Sequence, residues 1–109
     1  MPDFWQRLEP LDPALTERAM ALRDHVFADG RLSRATKELI YLGMSCAIRF
    51  PDGVRIHAQR ALDHGASREE VYEAVALTIV AAGIPAYREA VNLIRDLLWP
   101  GGGSAERAR

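Results

Sequence analysis

SRATKELIYLGMSCAIRFPDGVRIHAQRALDHGASREE, residues 33–70, holds two helices, the corner between them and the opening of a third. Ser33 is a good N-cap, because its hydroxyl can accept from the unpaired amides of a first helical turn. From Leu39 to Ile48 apolar residues fall on nearly every helical face (Leu39, Ile40, Leu42, Met44, Cys46, Ala47, Ile48), which predicts a central buried helix. Phe50-Pro51-Asp52-Gly53 then breaks the pattern, since proline disfavours helical geometry at the residue before it and glycine permits a turn. A further helix is expected from about Val54 to His64, with Val54, His57, Ala58, Ala61 and Leu62 inward and Gly65 as a left-handed C-terminal cap. Ser67-Arg68-Glu69-Glu70 is a capping box, serine bonding forward and glutamate bonding back, and predicts a helix running to about Ala82.

Outward from this stretch the same rules apply. Asp12-Pro13 is a start signal for an earlier helix, whose Leu15, Ala19, Leu22 and Val26 form one apolar stripe, expected to pack inward, that ends near Asp29-Gly30. Phe4 and Trp5 precede that helix, either docking on a neighbouring subunit or plugging the chain's own core. Gly83 and Pro85 introduce a last helix with Ile84, Tyr87, Val91, Ile94 and Leu98 at three-and-four spacing, ending at Pro100. Strand signals are almost absent and the connections short. The expectation is therefore an all-α, compact bundle of about five helices, one domain over residues 1–100, with a flexible tail over 101–109 that begins Gly101-Gly102-Gly103-Ser104.

The bulk numbers narrow the function classes. A formal charge of −1 offers no basic excess for a phosphate backbone, which points away from nucleic acid. The longest uncharged stretch, Ala74 to Tyr87, is too short to span a bilayer and carries Gly83 and Pro85, so no membrane partner is expected. Cys46 is the single cysteine and cannot form an internal disulfide, and the N-terminus does not read as a signal peptide, so a cytoplasmic setting is expected. No two of His25, His57 and His64 lie one helical turn apart, and no metal site is expected. The helices are more apolar than five of them can hide in a monomer of this size, which predicts a homo-oligomer.

Lys37-Glu38-Leu39-Ile40, the apolar helix, and Arg55 through Val71 together resemble the carboxymuconolactone decarboxylase and alkylhydroperoxidase D-like superfamily over roughly residues 15 to 98. In that family a glutamate on the central helix precedes Cys-x-x-Cys-x-x-x-His, an alanine-leucine run and a Gly-Ala-Ser/Thr turn. Glu38, His57 and Gly65 occupy matching places. The two cysteine positions hold Phe50 and Gly53, so the redox cysteine pair is missing and a relay through a resolving thiol cannot run. The decarboxylase branch also lacks those thiols, and the chain looks closer to it or to a sibling.

The resemblance implies a cofactor-free lyase of aromatic-compound catabolism acting on a small anionic substrate, a carboxylated lactone or related acid, in a trimer or hexamer. It casts His57 as general acid/base and Glu38 as its orienter. An inward imidazole suits proton transfer near neutral pH, and a carboxylate entering an apolar helix needs a partner or a proton. Glu38 also suits an early helical turn through the macrodipole alone, and His57 suits a satisfied core position. Arg49 and Arg55 border the corner and are candidates to hold the substrate carboxylate. Two alternatives stand beside the lyase. One is a noncatalytic oligomeric or small-ligand-binding member of the fold; the other is a thiol peroxidase pairing Cys46 with its equivalent across an interface.

Overall fold

Asp12 accepts the Leu15 amide through its side chain, Pro13 follows at the first helical position, and a helix begins there. In a computed structural model that describes residues 4–101, this is the second of eight helical segments, and no strand occurs among the described residues. The segments are α1 (Phe4–Leu8), α2 (Pro13–Phe27), α3 (Arg34–Ala47), α4 (Pro51–Asp63), α5 (Arg68–Ala76), α6 (Thr78–Ala82), α7 (Ile84–Leu93) and α8 (Arg95–Leu98). They group into two units that divide between Arg31 and Leu32. The expected tail falls, from residue 102 onward, outside the described residues.

In the first unit α1 packs on α2, and the rings of Phe4 and Trp5 meet edge to face at 5.2 Å. The sequence placed no helix at Phe4–Leu8. The apolar stripe of α2 also departs from expectation, because Leu15, Leu22 and Val26 are exposed instead of packed inward. Periodicity reports that a face is apolar and is silent on what covers it.

The second unit holds the core: Leu42 and Cys46 of α3, Val54, Ala58 and Ala61 of α4, Ala66, Val71 and Val75 around α5, and Ala90, Ile94 and Leu98 towards the end. Alanines on α4 and α7 let the helix axes approach closely. The inward face of α4 is the expected one, with Leu62 partly buried at its edge. α4 starts earlier than expected, at Pro51, since proline is suited to a first helical position. Two of the expected helices are each interrupted. Bonding tightens to i→i+3 at Val80 N–H to the Leu77 carbonyl, which separates α5 from α6, and at Leu97 N–H to the Ile94 carbonyl, which separates α7 from α8. Of the expected stripe Ile94 and Leu98 are buried and Tyr87 and Val91 pack against the core, Ala86 and Ala90 complete the buried line, and Ile84 is exposed.

α3 is buried on one side only. Glu38, Leu42, Ser45 and Cys46 are enclosed, while Ile40, Met44 and Ile48 form an exposed ladder, so the expected all-round burial is corrected to a half-buried helix.

Both helices of the central hairpin end the same way. At the end of α3 the Phe50 amide bonds to the Ser45 carbonyl and the Arg49 amide to the Cys46 carbonyl; at the end of α4 Ala66 bonds to Ala61 and Gly65 to Leu62. These are Schellman caps, whose turning residue is left-handed: Gly65 at φ 103°, as its sequence context predicts, and Arg49 at φ 58°. A side chain there costs about 1–2 kcal/mol of backbone strain. Arg49 is also tied to α7, where its guanidinium grips Glu89 at 3.0 Å.

Across the corner Gly53 faces Ser45 and the ring of Phe50. A β-carbon at position 53 would lie 2.5 Å from Phe50 Cδ2 and 2.6 Å from Ser45 Oγ. Gly53→Ala is therefore expected to lower unfolding free energy by about 1–3 kcal/mol in denaturant titrations. The same substitution made in a Phe50→Ala background should cost clearly less, because the ring is half of the obstruction.

Candidate functional site

α3 and α4 run antiparallel, which sets Ser45 against Gly53 near the corner and Glu38 against His57 nearer the open end. Ser33 holds the start of α3 by accepting the Thr36 amide, and that fixes the register from which Arg34, Glu38 and Tyr41 project. Glu38 is fully buried, and each of its oxygens has its own partner: Oε1 lies 2.5 Å from His57 Nδ1, and Oε2 accepts from Arg34 Nε at 2.7 Å. The His57 side chain is 9% exposed and that of Arg34 26%, so the chain of contacts runs from half-open guanidinium to enclosed imidazole. The Tyr41 ring lies on the imidazole at 4.1 Å between centroids, tilted by 44°.

With Glu38 ionised, this arrangement selects one imidazole tautomer. An ionised carboxylate can only accept, so in that state Nδ1 would carry a hydrogen and donate it to Glu38, and in the neutral ring Nε2 would be the basic nitrogen. A carboxylate backing one nitrogen of a histidine while the other exchanges protons is a working acid/base pair. The two residues singled out in the sequence for catalysis are thus brought together. Arg34 and Tyr41 were not singled out. The signal for Arg34 was its position four residues before Glu38, a spacing shared by many solvent-exposed pairs. Tyr41 carried no signal beyond lying one turn after Glu38.

The two arginines proposed for a substrate carboxylate lie elsewhere. Arg55 stands two residues before His57 and points to the other side of α4, where it makes a two-pronged contact with Asp96 at 2.7 Å and also donates to the Leu93 carbonyl. Arg49 pairs with Glu89. These guanidinium groups hold the Asp96 and Glu89 carboxyls below the usual carboxylate range, and any anion they bind would have to displace them. An open groove lined by Arg68, Glu69, Tyr72, Glu73, Leu98 and Trp99 lies at α5 and α8 and contains none of Arg34, Glu38, Tyr41 and His57.

Cys46 is buried in the core, and burial pushes its thiol pKa up, offset only in part by the neighbouring Thr78 hydroxyl. A raised pKa and an enclosed sulfur both oppose thiolate chemistry. Among the described residues no group of three or more His, Cys, Asp or Glu is placed to hold a metal ion, and no helix is long and apolar enough to cross a membrane.

Two outcomes follow from this geometry. Removing the central carboxylate by Glu38→Ala should cost about 3–5 kcal/mol in unfolding free energy, because it strands His57 and Arg34 beside an empty space. Cys46 should react with an aromatic disulfide reagent at neutral pH no faster than the chain unfolds, a rate that stopped-flow unfolding measures independently.

The same chain matches the profile of the carboxymuconolactone decarboxylase family over residues 13–96. Among solved structures it is similar to the apo form of a carboxymuconolactone decarboxylase family protein from Legionella pneumophila, with 25% identity and a TM-score of 0.75 over 85% of this chain and 86% of that one. A search of curated proteins finds no match. The family match covers most of the chain, including both helices that meet at Glu38 and His57, and the chain belongs to the carboxymuconolactone decarboxylase family.

Proposed function

We propose that this protein is a cofactor-free lyase that decarboxylates a small carboxylated lactone or related acid, with His57 as general acid/base and Glu38 as the residue that orients it. The observation that carries the reading is the buried Glu38–His57 contact, whose second carboxylate oxygen is independently held by Arg34. Loss of carbon dioxide breaks one carbon–carbon bond and leaves its electron pair on the substrate. Nε2 of His57 takes up a proton from solvent and delivers it to the carbon that receives this pair, and the neutral ring is restored. The bond to Glu38 through Nδ1 persists in both states of the ring. Arg49 and Arg55 would serve an anionic substrate only by exchanging Glu89 or Asp96 for it.

A second reading, a noncatalytic ligand-binding or oligomeric member of the family, draws on the near-complete enclosure of the same pair. In either reading we place the protein in the cytoplasm as a trimer or hexamer. Support for self-association comes from apolar side chains left in solvent on α3 and around α6, with Ile48 74% and Val80 89% exposed. Sedimentation is expected to give a mass three or six times the 12.1 kDa chain.

The deciding assay follows loss of 4-carboxymuconolactone and release of carbon dioxide at neutral pH, with no added metal, by the parent and by His57→Ala. Turnover that falls at least about a hundredfold in the variant is expected for loss of a general acid or base. A folded parent without turnover would remove this substrate and leave the binding reading in place.

A further inference from the structure

We infer that Arg34 is a positioning residue that fixes the protonation pattern of the pair, holding Glu38 as a carboxylate so that His57 Nε2 is the one atom that exchanges a proton. The inference rests on the acid/base reading of His57, and its test does not depend on the lactone being the substrate.

The argument is one of charge balance in an enclosed space. Among the groups that reach the His57 ring from α3 are the Glu38 carboxylate and the Tyr41 ring, with Arg34 on the far oxygen of Glu38. An ionised carboxylate with no solvent contact needs a compensating positive charge. If His57 were its only partner, the pair would settle either as carboxylate and imidazolium or, by proton transfer, as neutral acid and a ring protonated on Nε2. In both cases Nε2 carries hydrogen at rest and has no lone pair to offer. Arg34 removes that requirement. Its guanidinium is always charged and supplies the balancing cation 2.7 Å from Oε2, so Glu38 stays ionised while the ring is neutral. Nδ1–H then points at Oε1, and Nε2 is the basic site.

Directional bonding adds to charge. Arg34 and Glu38 lie four residues apart on α3, so their contact costs no long-range closure and orients the carboxylate before α4 docks on it. Oε2 is occupied from within α3, which leaves Oε1 for the helix that follows. The buried carboxylate thus presents a single, directed acceptor to the imidazole.

The test reads the ring nitrogens of His57 by nitrogen-15 NMR at about pH 8, above the ordinary histidine range, in the full-length protein, with circular dichroism as the check on folding. The parent is expected to show an unprotonated Nε2 and a hydrogen-bonded Nδ1–H. Arg34→Gln should show Nε2 protonated, and any turnover should fall about ten- to a hundredfold, as when outer partners of a reactive group are lost. Arg34→Lys, which keeps the charge and the fold while losing the planar fork, should retain the parent pattern. An Arg34→Gln protein that folds and keeps Nε2 unprotonated overturns the inference whatever its activity. So does a folded Arg34→Lys protein that is protonated there. If the expected nitrogen patterns are seen in a parent that does not turn over the lactone, the role of Arg34 stands and the decarboxylase reading falls.

Discussion

A carboxylate with no exposed surface sits between two helices and is satisfied from both sides, by Arg34 within its own helix and by His57 across the gap. Much of the second unit is arranged around that constraint. α3 must present Arg34, Glu38 and Tyr41 together, so its register is set by the Ser33 cap. α4 must bring His57 to the level of Glu38, so the corner between the helices has little freedom in length. A buried ion pair contributes little net stability once desolvation is counted, but breaking it from one side is costly. The contact therefore acts mainly as a register device: a hairpin slipped by one residue would set Ile56 or Ala58 in place of His57 against the carboxylate.

The corner meets that demand with two unusual choices. Arg49 takes a left-handed backbone where glycine is the unstrained residue, and its side chain reaches Glu89 on α7. Surface ion pairs of this exposure contribute little, so the pair offsets only part of the backbone cost. Gly53 is needed for a different reason, the absence of a side chain where Phe50 and Ser45 already fill the space. Among the described residues the Ser45 hydroxyl is enclosed there with no hydrogen-bond partner, and the buried Thr78 hydroxyl has only the Cys46 sulfur beside it. Both are buried, so the interior carries polar atoms that pure packing would not select.

The sequence made the hairpin legible because its signals are local: Ser33, Pro51, Gly65 and the Ser67–Glu70 box each act within a turn or two of themselves. Glu38 and His57 were legible through the family pattern, and their burial agreed with it. Exposure was not legible. The stripe on α2 and the ladder Ile40–Met44–Ile48 read as core, because hydropathy cannot distinguish a face covered by the same chain from one left for something else. The interruptions at Leu77 and Ile94 carry no glycine or proline, so no local signal in the sequence marks them. Arg34 escaped notice for the opposite reason: its spacing to Glu38 is so common on solvated helices that only the burial of Glu38 gives it meaning.

The Phe50–Gly53 pair links two positions whose side chains compete for one space. By the family resemblance these are the two positions of the Cys-x-x-Cys motif, and here the ring at one occupies room that a side chain at the other would need. Replacing Gly53 first meets the ring, and replacing Phe50 first leaves a hole over an unpartnered serine. The two sites are thus coupled through packing, so a side chain at position 53 can be accommodated only together with a change at its neighbours in the corner.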